Sequence, residues 1–225
     1  MTDLKVGGLA RLSNCDWPGE LVATIFCQGC PWDCPYCHNQ HLRPTWESPA
    51  MAWTDVLAFL GKRRRLLDGV VFSGGEPTLQ AALPDAIHAV RAMGFRIGLH
   101  TAGPFPERLA ALLPSVDWVG LDVKASFDDY ERITGVPGSG DKALASLRHL
   151  LDSGVAYEVR TTVHPGLLSR IDLLDLMEQL SSLGVKRYVA QAFRATGNHL
   201  SSVPTYVPFD LPQNCEDRFA EYCVR

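Results

Sequence analysis

The sequence predicts an α/β fold, a partial (β/α)6 TIM-type barrel, on three observations. Six short apolar runs alternate with five amphipathic windows along 225 residues, a rhythm that implies right-handed βαβ units and a parallel sheet. A full eight-unit barrel needs about 250 residues, so six units leave the barrel open along one side. The polar oddities also fall together, each just past an apolar run, on the face where barrel enzymes carry their sites.

The runs are LVATIF (21–26), GVVFS (69–73), RIGLHT (96–101), WVGLDV (118–123), YEVRTTV (157–163) and RYVAQAF (187–193). Helical windows near 52–66, 82–93, 106–113, 141–153 and 169–183 fill the intervals. Thr54 and Asp141 are candidate N-caps, and Gly94, Gly154 and Gly184 are candidate stops. No low-complexity linker interrupts the alternation. One domain is therefore expected over 1–225, with a core over about 20–195 and a polar tail over about 196–225.

Composition excludes several classes. Hydrophobic residues make up 46% of the chain, as in ordinary globular proteins. A net charge of −4 gives no global positive field for nucleic acid or anionic lipid. The one dense basic run, Lys62 to Arg65, reads as the solvated last turn of a helix. MTDLKVGGLARL lacks the apolar segment of a signal peptide, and no stretch is long enough to span a bilayer. The expected location is the cytoplasm, where seven cysteines argue for metal or redox chemistry rather than a disulfide framework. Cys215 and Cys223, in the tail, read as free thiols.

The other five cysteines, Cys15, Cys27, Cys30, Cys34 and Cys37, fall in the first forty residues, four of them in CQGCPWDCPYCHNQ. A closed zinc site of four thiolates is one reading. Only Pro31, Trp32 and Asp33 separate its two C-x2-C pairs, which crowds a tetrahedron. The tail of a bacterial ferredoxin run is another, but it needs a cysteine where Thr24 stands and leaves Cys37 unexplained. The third takes Cys30-x3-Cys34-x2-Cys37 as three thiolates on a [4Fe–4S] cluster, with Cys27 a buried thiol on the first strand.

That spacing, with Tyr36 before the last cysteine, resembles the signature of the radical S-adenosylmethionine (SAM) enzymes. SGGEP (73–77), HTAG (100–103), DVK (122–124), RTTVHPG (160–166) and QAFR (191–194) close the following strands. The order of Asp16 to Gly19, Cys37 to Asn39, Gly74 to Pro77, Thr101 with Gly103, Asp122 with Lys124, and Arg160 to Gly166 is similar to that of activating enzymes of glycyl radical enzymes. It is closest to the activases of anaerobic (class III) ribonucleotide reductase, with pyruvate formate-lyase activase a more distant relative.

The resemblance implies a cluster ligated by Cys30, Cys34 and Cys37, with one iron left for SAM. It implies that Gly74 and Gly75 lie along SAM's methionyl part and that Glu76 meets its ammonium. Lys124, with Asp122, meets the carboxylate as a point charge, and Arg160 clamps it bidentately. Tyr36 and Thr101 steady adenine and ribose. The implied reaction is reductive cleavage of SAM, fed by a flavodoxin- or ferredoxin-type donor, followed by hydrogen abstraction from a partner's glycine. His164, before Pro165, reads as structural.

Two positions depart from the pattern. His100 stands where pyruvate formate-lyase activase has an aspartate that helps hold a monovalent cation beside SAM, and it reads as a core histidine, a substitute for that cation or a partner contact. Near the sixth strand a family histidine is missing, and Arg194 is the nearest polar residue. About thirty residues without further cysteine follow Cys37, which excludes a ferredoxin-like insert. Two other functions are a small-molecule radical SAM enzyme, such as a 7-carboxy-7-deazaguanine synthase, and a zinc-binding interaction domain.

Overall fold

The computed structural model describes residues 3–194 and 216–225, and its strands form one eight-stranded sheet in sequence order. Six strands match the predicted runs closely: β2 Val22–Cys27, β3 Gly69–Gly74, β4 Arg96–Thr101, β5 Trp118–Asp122, β6 Ala156–Val163 and β7 Arg187–Ala192. All neighbours in this set pair in parallel. Between them run α1 Trp53–Gly61, α2 Leu83–Ala92, α3 Pro106–Leu112, α4 Tyr130–Thr134, α5 Ser139–Ser153 and α6 Arg170–Ser182.

Two further strands extend the sheet at its edges. β1 Val6–Ser13 pairs antiparallel to β2, with Val6 opposite Cys27 and Ser13 opposite Val22. β8 Glu221–Val224 pairs parallel to β7, with Arg187 opposite Glu221, so the last residues read as tail belong to the sheet. Cys223 is an exposed free thiol on β8, whereas Cys215 lies outside the described residues.

Caps differ in detail. α1 begins after Ala52, with Thr54 already inside its first turn, and α5 begins after Gly138, with Asp141 in its first turn. The competing N-terminal device is backbone geometry: Ala52 is extended and Gly138 left-handed, and neither makes a side-chain cap. A full capping box is present at α6, where Ser169 and Asp172 bond each other's backbone N–H. Gly94, Gly154 and Gly184 follow α2, α5 and α6 with positive φ, as stops should. Lys62 to Arg65 lie beyond α1 in exposed turns rather than in its last turn. Among the described residues no helix is long and apolar enough to cross a membrane.

The period-2 alternation of the strands separates two interiors. Ile25, Val70, Phe72, Ile97, Leu99, Val119, Leu121 and Val159 join Leu60, Leu83, Ile87, Leu109, Leu147 and Leu176 of the helices in the main core. The alternate residues face the barrel lumen. Towards the strand starts, Trp17, Val22, Val71 and Trp118 form a second apolar cluster, with Trp17 stacked on Trp118 at 5.6 Å between ring centroids. A Cβ at Gly98 would meet Trp17 at 2.9 Å and one at Gly69 would meet it at 3.1 Å, so both glycines admit the indole. Towards the strand ends the same lumen positions carry Ser73, His100, Asp122, Arg160 and Thr162, which line a single cavity.

Candidate active site

All eleven predicted site residues line that cavity: Cys30, Cys34, Cys37, Tyr36, Gly74, Gly75, Glu76, Thr101, Asp122, Lys124 and Arg160. The cysteine loop is held by backbone bonds at its root. Gly29 N–H donates to the Leu42 carbonyl at 2.7 Å and Cys30 N–H to that of Arg43 at 3.0 Å. Trp32 is buried edge-on against Tyr130 at 5.6 Å, and Asp33 N–H reaches the Thr134 carbonyl at 2.8 Å. Cys27, at the end of β2, is fully buried, as its reading as a small hydrophobe requires. Burial, and then the nearby Glu76, pushes the Cys30 thiol up to about 12; burial also raises Cys34. Such thiols stay protonated at neutral pH unless a metal takes the sulfur.

The Gly-Gly-Glu turn is locked to this loop. Gly75 N–H donates to the Cys27 carbonyl at 2.9 Å and Glu76 N–H to the Gly29 carbonyl at 2.8 Å. A Cβ on Gly75 would lie 2.2 Å from the Gly29 oxygen, and Gly74 holds φ +111, so neither position takes a side chain without moving backbone. Glu76 is 1% exposed, and its carboxylate turns inward. It accepts from Thr78 N–H at 3.0 Å, Thr78 hydroxyl at 2.5 Å, Thr101 hydroxyl at 2.7 Å and Ala102 N–H at 3.0 Å. Burial raises its pKa against these four donors. Glu76 and Thr101 thus tie the ends of β3 and β4 together, and the direct Glu76–ammonium contact the resemblance implies is not prearranged.

A chain of charge crosses the lumen. Lys124 Nζ lies 3.2 Å from Asp122 and Arg160 Nε 2.8 Å from its other oxygen. Arg160 Nη1 stands 3.1 Å from His100 Nε2, and Nη2 donates to the Gly120 carbonyl at 3.4 Å. Burial alone would raise Asp122, but Arg160 and Lys124 hold it well below the usual carboxylate range. Burial alone would lower Lys124, and Asp122 outweighs it. With all three of its nitrogens engaged, Arg160 is not poised for the bidentate clamp read from the sequence. Among the described residues the Lys124 ammonium keeps one partner, Asp122, and it lines the cavity, its backbone N–H held by the Tyr130 hydroxyl at 3.0 Å.

Four groups were missing from the sequence-derived site. Ser73 and His100 join the charge chain at 3.2 Å, and the Asp16 carbonyl lies 2.7 Å from His100 Nε2. Gly120 makes room for the guanidinium, since a Cβ there would meet Arg160 Nη1 at 2.7 Å. Reading back two residues from Asp122 along its strand would have found Gly120. Asp16 stood in the Asp16–Gly19 match, but nothing local signals that its carbonyl reaches His100. At the mouth, His38 stacks on Phe193 at 5.4 Å, Phe193 meets His164 at 4.5 Å, and His164 stacks on Tyr36 at 6.2 Å. Arg194 contributes its carbonyl to His38 at 2.8 Å; its exposed side chain does not line the cavity.

The donor set fits an iron–sulfur cluster with SAM. Three soft thiols border one cavity beside a glycine turn, a buried Tyr36 hydroxyl has no partner among the described residues, and a cationic Lys124 faces them. No three His, Cys, Asp or Glu among the described residues gather tightly enough for a single ion; the thiolates of a cluster each bind a different iron and stand apart. The model of the radical SAM superfamily matches residues 24–187. A Methanocaldococcus jannaschii protein described as a glycyl-radical enzyme activating enzyme is 30% identical over 200 residues, 84% of this chain and 79% of its own. The pyruvate formate-lyase-activating enzyme of Streptococcus mutans is 30% identical over 219 residues, 86% and 80% of the two chains. Among solved structures, Streptococcus suis SuiB bound to S-adenosylmethionine superposes with a TM-score of 0.60 at 14% identity, over 80% of this chain and 42% of that one. The chain belongs to the radical SAM superfamily and, within it, to the activating enzymes of glycyl radical enzymes, which work through a [4Fe–4S] cluster and SAM.

Proposed function

We propose that this activating enzyme installs the glycyl radical of an anaerobic ribonucleotide reductase, in the cytoplasm, with electrons from a flavodoxin- or ferredoxin-type donor. The observation that carries the reading is the open strand-end cavity, lined together by the three cysteines, the Gly74–Gly75 turn and Lys124. The choice of partner rests on Asp16 to Gly19 and Cys37 to Asn39, which resemble the ribonucleotide reductase activases most.

The cluster and SAM, when bound, supply the one-electron chemistry that no side chain here can. The chain supplies the rest. Cys30, Cys34 and Cys37 hold the cluster. Gly74 and Gly75 let backbone approach SAM's amino end, and Lys124 meets its carboxylate. Asp122 aims Lys124, Arg160 aims Asp122, and Glu76 fixes the turn that carries both glycines and Thr101. Tyr36 borders the adenine side, and the Tyr36–His164–Phe193–His38 ladder presents Tyr36 and His38 to the cavity.

The test is anaerobic incubation of reconstituted protein, SAM, reduced flavodoxin and the candidate reductase, followed by electron paramagnetic resonance. A SAM-dependent glycyl doublet on the reductase is expected. SAM cleavage without that doublet, but with turnover of a small purine-like molecule, would replace this reading. Cys34→Ala should lose the roughly four irons that the wild type holds per chain, as measured by iron and sulfide assay.

A further inference from the structure

On the reading of the site proposed above, SAM meets a charge balance set by this chain's own residues. Pyruvate formate-lyase activase, whose pattern this chain otherwise follows, has an aspartate at the place of His100 and a monovalent cation next to it. The residues here do not fit such an ion. Both Asp122 oxygens are paired, one with Arg160 at 2.8 Å and one with Lys124 at 3.2 Å. The Thr101 hydroxyl donates to Glu76 at 2.7 Å and accepts from Gly103 N–H at 3.0 Å.

His100 offers no free lone pair either. Its Nδ1 meets the Ser73 hydroxyl at 3.2 Å, and its Nε2 meets both the Asp16 carbonyl at 2.7 Å and Arg160 Nη1 at 3.1 Å. If Nε2 carries the proton it donates to Asp16, and Nδ1 accepts from Ser73. If Nδ1 carries it, Nε2 accepts from Arg160. Both ring nitrogens are engaged in either tautomer.

We propose that His100, held by the Ser73 hydroxyl, the Asp16 carbonyl and Arg160, takes the place of that aspartate and its cation together, so that SAM binding here needs no monovalent metal ion. Charge conservation supports it: an aspartate with a bound monovalent cation sums to zero, as does a neutral histidine alone. What remains is Lys124 and Arg160 against Asp122, a net single positive charge awaiting SAM's carboxylate. A metal ion added to this cluster would meet a guanidinium, with both Asp122 oxygens already shared.

The test is SAM binding to the cluster-loaded protein, by anaerobic equilibrium dialysis, in potassium, sodium or tetramethylammonium buffer of equal ionic strength. Dissociation constants should agree within about twofold. Tightening of about fivefold or more by potassium or sodium, or saturable binding of thallium(I) as a potassium stand-in, overturns the inference. His100→Asp, checked for folding by circular dichroism, should make SAM binding tighten about fivefold or more when potassium replaces tetramethylammonium. Equal affinity in all three salts for that variant also overturns the inference; if the variant does not fold, the wild-type salt series decides. Binding that rises with potassium sinks the inference alone, whereas SAM that binds in no buffer sinks the reading of the site and the inference with it.

Discussion

His100 is a titrating residue held out of titration. Burial, and then the neighbouring Arg160 charge, push its pKa down to about 3, against the pull of the Asp122 carboxylate and the Asp16 backbone carbonyl. An unfolded histidine titrates near about 6.5. Between those values the unfolded chain binds the extra proton, so stability rises with pH and is lost on acidification, by up to about 1.4 kcal/mol per pH unit from this residue. His100→Gln should flatten the thermal-unfolding slope between about pH 5 and 6.5; parallel slopes in the two proteins would refute the assignment. Glu76 makes a second case. Glu76→Ala strands two buried N–H groups and two hydroxyls and should destabilise the fold by about 3 kcal/mol in denaturant titration. The motif made Glu76 legible as a site residue. It could not show where the carboxylate's bonds go, because Thr101 and Ala102 lie on another strand's turn.

Strands and turns make up the next scale. The Trp17–Trp118 stack packs the strand-start end of the lumen, and Trp17 is 5% exposed. Trp17→Ala should cost about 3–5 kcal/mol on chemical denaturation while leaving the cysteine loop able to take up iron. Gly75→Ala should act in the opposite way. The methyl group meets backbone oxygen of Gly29, so iron retention and SAM binding should fall together, read by absorbance and dialysis. The six parallel strands were legible because apolar runs bounded by glycine and polar residues mark buried strands. β1 was not, since Gly7 and Gly8 dilute its pattern and Leu12 points to solvent at 64% exposure. β8 was hidden for a related reason: its short EYCV run sits on the sheet edge, mostly exposed.

At the level of the whole molecule, one lumen is divided into an aromatic floor and a charged upper layer by strands that advance together. Ligand binding to the upper layer should therefore stabilise the entire barrel. SAM at about a hundred times its dissociation constant should add about 2.7 kcal/mol to the cluster-loaded protein, read as a rise in unfolding temperature. No rise would mean that SAM does not bind the folded site. That the site lies at the strand ends was legible from the sequence, since each motif closes a predicted run. Its internal pairing was not: Asp16 and His100 are 84 residues apart and meet only because both flank the same lumen.

The position of Trp17 bears on how partner choice is encoded. Trp17, in the Asp-Trp-Pro-Gly signature that helped point to a reductase, is masonry at the strand-start end of the barrel, away from the rim any incoming glycine must cross. Transplanting that signature between related activases should leave their clients unchanged. Recognition would be rewritten only by exchanging the lip around His38 and Phe193.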